Sequence, residues 1–304
     1  MSSSLRLLSL IALAAASPFS SIESYSQTLH ARDSTAAVTS SQLDAFRFYI
    51  QHASAAYCNF NTSAGDPVVC AGNACPSVNA TIVDSFTGLL TGIGGYVSID
   101  DSRQEIVLSV RGSNNVRNFI DDVVFLQVPC SLVSGCLLHV GFLQAWNEIE
   151  KAATLALATT LQSRPTYRIV ATGHSLGAAV ATVAAAYLRQ GGMPMDIYTY
   201  GSPRVGNSRF VDFVTSQPGA ENRITHTSDP VPRLPPMALN FRHTSPEYWL
   251  STGDAETVDY SVDDIRICTG TANMSCNGGT IGLSVEAHEH YFQPTNGCLP
   301  SISL

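Results

Sequence analysis

The 304-residue sequence has little charge, and basic residues are the scarcer kind. Charged side chains make up 13% of the chain, and 16 Lys and Arg against 24 Asp and Glu leave a formal net charge of −8. An acidic protein has no long-range attraction to nucleic acid or to anionic membrane surfaces, so we expect neither as a partner. Because 45% of the residues are hydrophobic, the composition is typical of a globular protein and excludes a disordered one.

The apolar run near the N-terminus is too short to cross a bilayer. It covers residues 7–16, follows the single positive charge of Arg6 and precedes small residues, which is the pattern of a cleaved secretory signal. We therefore predict a signal peptide over residues 1–16 and no transmembrane anchor. Residues 17–34 are rich in Ser, Thr and Ala without periodicity, and we interpret them as a pro-segment or disordered lead-in, with processing after Arg32 as a hypothesis.

The sequence lacks any Cys-x-x-Cys, which argues against a zinc site. In an exported chain, eight cysteines predict disulfides instead. Their spacing favours three short loops and one long closure, although spacing alone does not decide the pairing. The favoured pairs are Cys70–Cys75, Cys130–Cys136, Cys268–Cys276 and Cys58–Cys298. Three Asn-x-Ser/Thr sequences are candidate glycosylation sites: Asn61, Asn79 and Asn273.

Short β-rich runs alternate with longer helical patterns, which is typical of an α/β fold. Residues 105–110 (EIVLSV) and 167–172 (YRIVAT) predict buried strands. Residues 141–162 between them predict a long amphipathic helix. The runs DIYTYG (196–201) and NRITHTSD (222–229) predict two further strands.

Residues 41–57 predict another helix, with Ser41 as its N-cap. Its apolar face contains Leu43, Phe46, Tyr49 and Ile50. After Asn240 the pattern becomes irregular. Since no internal repeat or linker divides the remainder, residues 35–304 are assigned to one α/β domain.

Residues 173–177 read Gly-His-Ser-Leu-Gly, a G-x-S-x-G sequence between a predicted strand and a helix that begins at Leu176. Strand, turn and helix in this order are the setting of a nucleophile elbow. The turn is so sharp that a Cβ in place of either glycine would collide with neighbouring backbone. We therefore predict Ser175 as a nucleophile, with an idle serine in a tight turn as the alternative.

A serine nucleophile needs a base, and the base needs an orienting carboxylate. Asp229 is the favoured acid because it ends a predicted strand and precedes a stiff, proline-rich segment. Rivals in a more polar stretch are Asp254, Asp259, Asp263 and Asp264. His226 lies too close to Asp229 in sequence to be the base, which leaves His243, His288 and His290. On a strand, His288 and His290 would share a face and could form half of a metal site, but no further ligands cluster nearby.

Eight short motifs occur in an order that resembles the secreted filamentous-fungal lipases, the class 3 lipase family with the α/β-hydrolase fold. They are AAYC (55–58), CAGNAC (70–75), RGS (111–113), GHSLG (173–177), YGSPRVGN (200–207), THTSDPVPRLPP (225–236), SPEYW (245–249) and EAHEHYF (286–292). The resemblance covers nearly all of residues 41–299. It implies a mixed, mostly parallel central sheet flanked by helices, in a single domain with a short helical lid.

The same resemblance implies a role for each member of the site. Ser175 is the nucleophile, Asp229 the triad acid and His288 the base, while His290 is a packing residue. Ser113 and the backbone N–H of Leu176 form the oxyanion hole. The pairs Cys70–Cys75, Cys130–Cys136 and Cys58–Cys298 match the family's bridges, whereas Cys268–Cys276 is an addition without an assigned function.

A lid is expected directly after Ser113. Residues 114–125 (NNVRNFIDDVVF) place apolar side chains at helical spacing opposite polar ones, and the apolar side chains are Val116, Phe119, Ile120 and Val123. The predicted lid residues are Val116, Phe119 and Ile120, and the alternative is an ordinary surface helix. Phe119 stands where the family often has tryptophan, which leaves the strength of interfacial activation open.

These features predict a secreted serine ester hydrolase that cleaves acylglycerols through an acyl-enzyme at an oil–water interface. No metal or organic cofactor is expected, and the protein is expected to be a monomer. A phospholipase A1 or a feruloyl esterase on the same scaffold is the nearest alternative. A non-catalytic secreted lipid- or glycan-binding protein is a remote one.

Overall fold

The computed structural model describes residues 37–122, 124–295 and 297–298, apart from the side chains of Val116, Phe119 and Asp122. The predicted signal peptide (1–16) and lead-in (17–34) lie outside these residues, as does Val123.

An eight-stranded mixed sheet forms the centre of the fold, in the strand order β1-β2-β3-β6-β7-β8-β9-β10. Its strands are β1 (Thr81–Thr87), β2 (Gly94–Asp100), β3 (Glu105–Val110), β6 (Arg168–His174), β7 (Met195–Tyr200), β8 (Glu221–His226), β9 (Glu247–Leu250) and β10 (Ile265–Cys268). From β3 to β9 neighbouring strands are parallel, and antiparallel pairs lie at both edges. A separate antiparallel pair consists of β4 (Gln127–Pro129) and β5 (Leu137–His139).

Helices cover both faces of the sheet. They are α1 (Ser40–Asn59), α2 (Val116–Asp122), α3 (Val140–Ser163), α4 (Leu176–Gln190), α5 (Ser208–Ser216) and α6 (Val285–Glu289). Because strand side chains alternate between faces, Val107 and Val170 pack with α1, whereas Ile106 and Ile169 pack with α3, α4 and α5. None of the helices in the described ranges is long and apolar enough to span a lipid bilayer.

The predicted α/β fold and its central elements are confirmed, and two local predictions are wrong. The N-cap of α1 is Thr39 and not Ser41, because the Thr39 hydroxyl accepts from the Gln42 N–H and the Gln42 side chain accepts from the Thr39 N–H. The stretch after Asn240 contains strands β9 and β10. Each has only four residues, too few for a recognisable alternation.

All eight cysteines are paired in the structure. The disulfides are Cys58–Cys298, Cys70–Cys75, Cys130–Cys136 and Cys268–Cys276, the same pairs that spacing favours. Cys58–Cys298 joins the end of α1 to the end of the described chain across 240 residues. Closing so long a loop restricts the unfolded chain most, so this bridge is the one expected to stabilise the fold most.

Buried histidines are expected to make the fold labile in acid. His52 of α1 is fully buried against the Tyr96 hydroxyl, and burial lowers the pKa of His52 to about 3. Burial also holds the pKa values of His174 and His243 well below the ordinary value. The unfolded chain regains a pKa of about 6.5 at each histidine and binds protons that the folded chain does not. The free energy of unfolding should therefore fall as the pH is lowered from about 6.5 towards about 3.

Denaturant unfolding between about pH 7 and about pH 4.5 measures this dependence. One such histidine contributes up to about 1.4 kcal/mol per pH unit within the window. His52→Gln should reduce the slope of the unfolding free energy against pH by the contribution of about one bound proton, because glutamine does not titrate in this range. An unchanged slope in this variant would assign the acid sensitivity to other groups.

Candidate active site

Ser175 lies in a sharp turn between β6 and α4. Its φ of 57° is in the left-handed region, which is uncommon for a residue with a Cβ. A Cβ added at Gly177 would lie 2.1 Å from the Val110 carbonyl oxygen, and one at Gly173 would lie 2.5 Å from the Gly177 carbonyl carbon. Only glycine fits at either position, which is the physical reason for the predicted turn. The Ser175 N–H donates to the Tyr200 carbonyl at 2.9 Å and fixes the turn to β7.

Asp229 and His288 lie together although 59 residues separate them in sequence. The His288 Nδ1 donates to the Asp229 Oδ2 at 2.8 Å, and the Val231 N–H donates to the other carboxylate oxygen, also at 2.8 Å. Asp229 follows the end of β8, and His288 lies on the short helix α6. Both side chains and Ser175 are fully buried. A carboxylate on Nδ1 leaves Nε2 as the nitrogen that can accept a proton.

Two buried atoms of this group have no hydrogen-bond partner among the described residues. They are the Ser175 Oγ and the His288 Nε2, the atoms between which a proton would move when the serine attacks. The Ser175 Oγ and the His288 Nε2 are therefore not hydrogen-bonded to each other in this structure. Such bonds are commonly long in the free enzyme and shorten when substrate binds.

Tyr291 is a second donor to Asp229, and the sequence pattern did not indicate this role. Its hydroxyl donates to the Asp229 Oδ2 at 2.6 Å. Burial, together with the charge of Asp229, raises the pKa of Tyr291 well above its ordinary value, so the hydroxyl stays protonated and keeps donating. The signal was its position three residues after His288, in the motif EAHEHYF.

Asn277 holds the backbone on either side of the acid, and it too was missed. Its side-chain amide donates to the carbonyls of Asp229 at 3.0 Å and Thr227 at 3.2 Å. Its own N–H donates to the Glu247 carboxylate of β9 at 3.2 Å. Because Asn277 directly follows Cys276, the Cys268–Cys276 disulfide ties it to the end of β10. This places the otherwise unassigned bridge next to the acid.

His174 connects the serine turn to the base. Burial and the neighbouring His288 hold the pKa of His174 well below the ordinary value, so the ring is neutral. Its Nε2 donates to the His288 carbonyl at 2.8 Å, and its Nδ1 therefore accepts from the Tyr57 hydroxyl at 3.1 Å. His174, the residue before Ser175, thus bridges α1 and α6.

The predicted oxyanion residues lie beside Ser175. Ser113 and Leu176 line one cleft, together with Gly112 and Arg111. A Cβ at Gly112 would lie 2.7 Å from the His174 carbonyl oxygen and 3.1 Å from the Ser175 Cβ. The backbone of the Ser113 loop therefore packs directly against the serine turn, where a developing oxyanion would need donors.

The remaining histidines make other contacts. His243 is buried and donates from Nε2 to the Pro232 carbonyl at 2.6 Å, and His226 donates from Nδ1 to the Ala287 carbonyl at 2.8 Å. His290 is half-buried at the end of α6. Since His288 lies on a helix, the strand geometry of the metal alternative is wrong. The described ranges contain no group of three or more His, Cys, Asp or Glu side chains able to hold a metal ion.

The rival carboxylates lie in the surface stretch between β9 and β10. Asp254, Asp259 and Asp263 are exposed, and Asp264 is half-buried. Asp264 accepts from the Ser261 N–H and hydroxyl and caps a single helical turn. Their contacts are those of solvated charges, as expected for them.

The predicted lid segment forms helix α2, which begins three residues after Ser113. Ile120 is half-buried, while Arg117, Asn118 and Asp121 are exposed, in keeping with an amphipathic helix. The side chains of the other two predicted lid residues, Val116 and Phe119, lie outside the described part. The role of α2 as a lid stays a prediction.

The candidate glycosylation sites differ in exposure. Asn61 and Asn79 are exposed, whereas Asn273 is half-buried and donates from its side-chain amide to the Thr269 carbonyl at 2.7 Å. Their modification stays a prediction.

Comparison with known proteins places these features in a wider group. The family described as lipase (class 3) matches residues 107–239, which include Ser175 and Asp229. The secreted mono- and diacylglycerol lipase 1 of Fusarium solani is 55% identical over 299 residues, covering 97% of this chain and 89% of that protein. The secreted mono- and diacylglycerol lipase A of Penicillium cyclopium is 39% identical over 266 residues, covering 84% and 86%. The crystal structure of mono- and diacylglycerol lipase from Aspergillus oryzae matches with a TM-score of 0.81 and 34% identity, over 86% of this chain and 100% of that one.

Proposed function

Because this chain belongs to the class 3 lipase family of carboxylic ester hydrolases, we propose that it is a secreted enzyme that hydrolyses mono- and diacylglycerols. The observation that carries the proposal is the buried Asp229–His288 pair beside a serine in a nucleophile elbow. The names of the relatives from Fusarium solani and Penicillium cyclopium support the substrate class and secretion.

In the proposed mechanism Ser175 attacks the ester carbonyl carbon. As the Oγ–carbon bond forms, His288 takes the serine proton on Nε2, and the carbonyl electrons move to the oxygen. Ser113 and the Leu176 N–H donate to that oxygen, each donor contributing about 3 kcal/mol to stabilisation of the transition state. Collapse breaks the bond to the glycerol oxygen, which receives the proton from His288. Water then attacks the acyl-enzyme by the same route and releases the fatty acid.

Asp229 serves this mechanism through its position. Its carboxylate fixes the imidazole with Nδ1 protonated and stabilises the cation formed after proton transfer. The Tyr291 hydroxyl and the Asn277 amide hold the carboxylate and its backbone in place. The acid is thus preorganised before substrate arrives, which lowers the reorganisation needed in the transition state.

The domain assignment is part of the proposal. We place a signal peptide at residues 1–16, a lead-in at 17–34 and the catalytic domain at 35–304. The apolar run after Arg6 and the paired state of all eight cysteines support export, since disulfides persist in oxidising compartments. The exposed Asn61 and Asn79 are available for glycan attachment during export.

A substrate panel with the purified secreted protein tests the proposal. Emulsions of monoolein, diolein and triolein, vesicles of phosphatidylcholine, and methyl ferulate would be compared by released acid. The rates on monoolein and diolein should exceed the rates on phosphatidylcholine and methyl ferulate by about tenfold or more. The substrates differ in their acyl and leaving groups, and these groups contact different parts of the site. Fastest release from phosphatidylcholine would replace the proposal by a phospholipase, and fastest release from methyl ferulate by a feruloyl esterase.

A further inference from the structure

The four most exposed large apolar side chains of the described residues form two pairs. Leu89 and Leu90 are 96% and 82% exposed, and Ile281 and Leu283 are 98% and 83% exposed. Single exposed leucines are common on protein surfaces. Two pairs with nearly complete exposure are unusual, because apolar surface of this kind generally marks a site of interaction.

The first pair lies on a turn that hydrogen bonds to a single carboxylate hold in one shape. This first apolar turn, residues 88–93, joins β1 to β2. The Glu148 carboxylate of α3 accepts from the N–H groups of Leu90 and Thr91 at 3.2 Å and from the Thr91 hydroxyl at 3.0 Å. The two leucines therefore project from a fixed backbone.

The same turn borders the oxyanion loop. Its Gly92 carbonyl accepts from the Arg111 guanidinium, which also donates to Asn114 at 2.7 Å. Thr91 and Gly92 line the cleft that contains Ser113 and Leu176. The exposed leucines are thus attached directly to the part of the site that would bind the ester oxygen.

The second pair lies on a turn that Arg233, four residues after Asp229, holds in place. This second apolar turn, residues 280–284, precedes α6 with His288. The Arg233 guanidinium donates to the carbonyls of Thr280 and Gly282, and to that of Ser228, the residue before Asp229. Ser284 then caps α6, since its hydroxyl accepts from the Ala287 N–H at 3.1 Å. Both turns are therefore braced by a charged side chain and border the catalytic residues.

The composition of the turns indicates what covers them. Neither turn contains a charged residue, and the chain as a whole carries a net charge of −8, which opposes an anionic surface. Acylglycerols, the substrates of the proposed function, form an uncharged lipid phase. Moving a leucine or isoleucine side chain from water into that phase is favourable, and the gain grows with the apolar area removed from water.

We propose that the two apolar turns form a fixed lipid-binding surface, which docks the protein on neutral acylglycerol with the catalytic centre next to the lipid. This inference rests on the proposed function and adds to it a surface separate from the lid helix α2. The turns bind lipid without moving, since Glu148 and Arg233 already hold them in the exposed conformation.

Flotation with triolein emulsion tests the surface, with Ser175→Ala in every variant to prevent hydrolysis. Leu89→Ser/Leu90→Ser and Ile281→Ser/Leu283→Ser should each lower the partition coefficient by about tenfold or more. The matched control is Val69→Ser/Leu155→Ser, which changes two exposed apolar residues outside both turns and should bind within about twofold of the parent. With Ser175 intact, each turn variant should keep its kcat/KM on water-soluble 4-nitrophenyl butyrate within about threefold.

Partition equal to that of the control would overturn the proposal. So would a loss of butyrate hydrolysis as large as the loss of binding, because the turns would then shape the catalytic centre and not a docking surface. Stronger partition onto phosphatidylglycerol vesicles than onto phosphatidylcholine vesicles would contradict a neutral partner. Since binding is measured without turnover, failure of acylglycerol hydrolysis and failure of lipid docking give different results.

Discussion

Replacing Ser175 by alanine is expected to lower ester turnover by about four to six powers of ten. The substitution removes one oxygen from a fully buried position, and that oxygen is the nucleophile of the proposed mechanism. The Ser175 Oγ has no hydrogen-bond partner among the described residues, so its loss strands no buried donor or acceptor. The variant should fold normally and retain the oxyanion donors, and a residual rate above that in water should remain.

Initial rates on 4-nitrophenyl butyrate and on diolein emulsion, with thermal unfolding as the check on folding, measure this effect. Ser216→Ala is the matched control, because Ser216 is exposed at the end of α5 and its hydroxyl donates to the Phe213 carbonyl of the same helix. The native protein and this control should react with a serine-directed organophosphonate, and Ser175→Ala should not. A purified Ser175→Ala variant with turnover near that of the native protein would refute the mechanism.

The serine turn is the part of the site that local sequence predicted best. Gly173 and Gly177 are separated by fixed spacing, and the clashes that exclude a Cβ at either position arise from backbone within the same turn or the adjacent β3. A buried strand before the turn and an alanine-rich helix after it are also local patterns. The glycine spacing, the strand and the helix are all local in sequence, which is why the turn and β6 were predicted correctly, whereas the contact of Gly177 with β3 is seen only in the folded chain.

The choice of a histidine as the base, in contrast, could not be made from local sequence. His243 and His288 are both buried histidines in polar sequence surroundings, and residue patterns alone left the choice open. What distinguishes them is the folded chain, which brings His288 to 2.8 Å from Asp229 across 59 residues and places His243 on the Pro232 carbonyl. Family resemblance supplied the choice that local physics could not, because contacts between distant segments have no periodic signature.

The stretch after Asn240 was misread for a related reason. Strands β9 and β10 pair over four residues each, and their stability comes from packing on the sheet edge and from the Cys268–Cys276 bridge. Asn277 can donate to the Asp229 carbonyl only because this bridge and Glu247 hold it next to Asp229. A polar residue after a cysteine carries no such information by itself. The contact of this region with Asp229 is therefore visible only in the structure.

Asp229→Asn is expected to lower kcat by about four powers of ten while leaving KM within a few-fold. Asparagine keeps one oxygen, which can still accept from the Val231 N–H. In place of the other oxygen it presents an NH₂ group to the His288 Nδ1. A donor there favours the imidazole tautomer with Nδ1 unprotonated, so Nε2 carries the proton and cannot take another from Ser175. The missing negative charge also leaves the imidazolium of the transition state unstabilised.

Asp259→Asn is the matched control, because Asp259 is a rival carboxylate whose side chain is 98% exposed and forms a surface ion pair with Arg47. Exposed pairs contribute about 1 kcal/mol or less, so this variant should keep full activity and nearly full stability. Steady-state kinetics on 4-nitrophenyl butyrate separate kcat from KM, and thermal unfolding separates lost chemistry from lost fold. A loss of activity in Asp229→Asn of less than about tenfold, with the fold intact, would mean that another group orients His288.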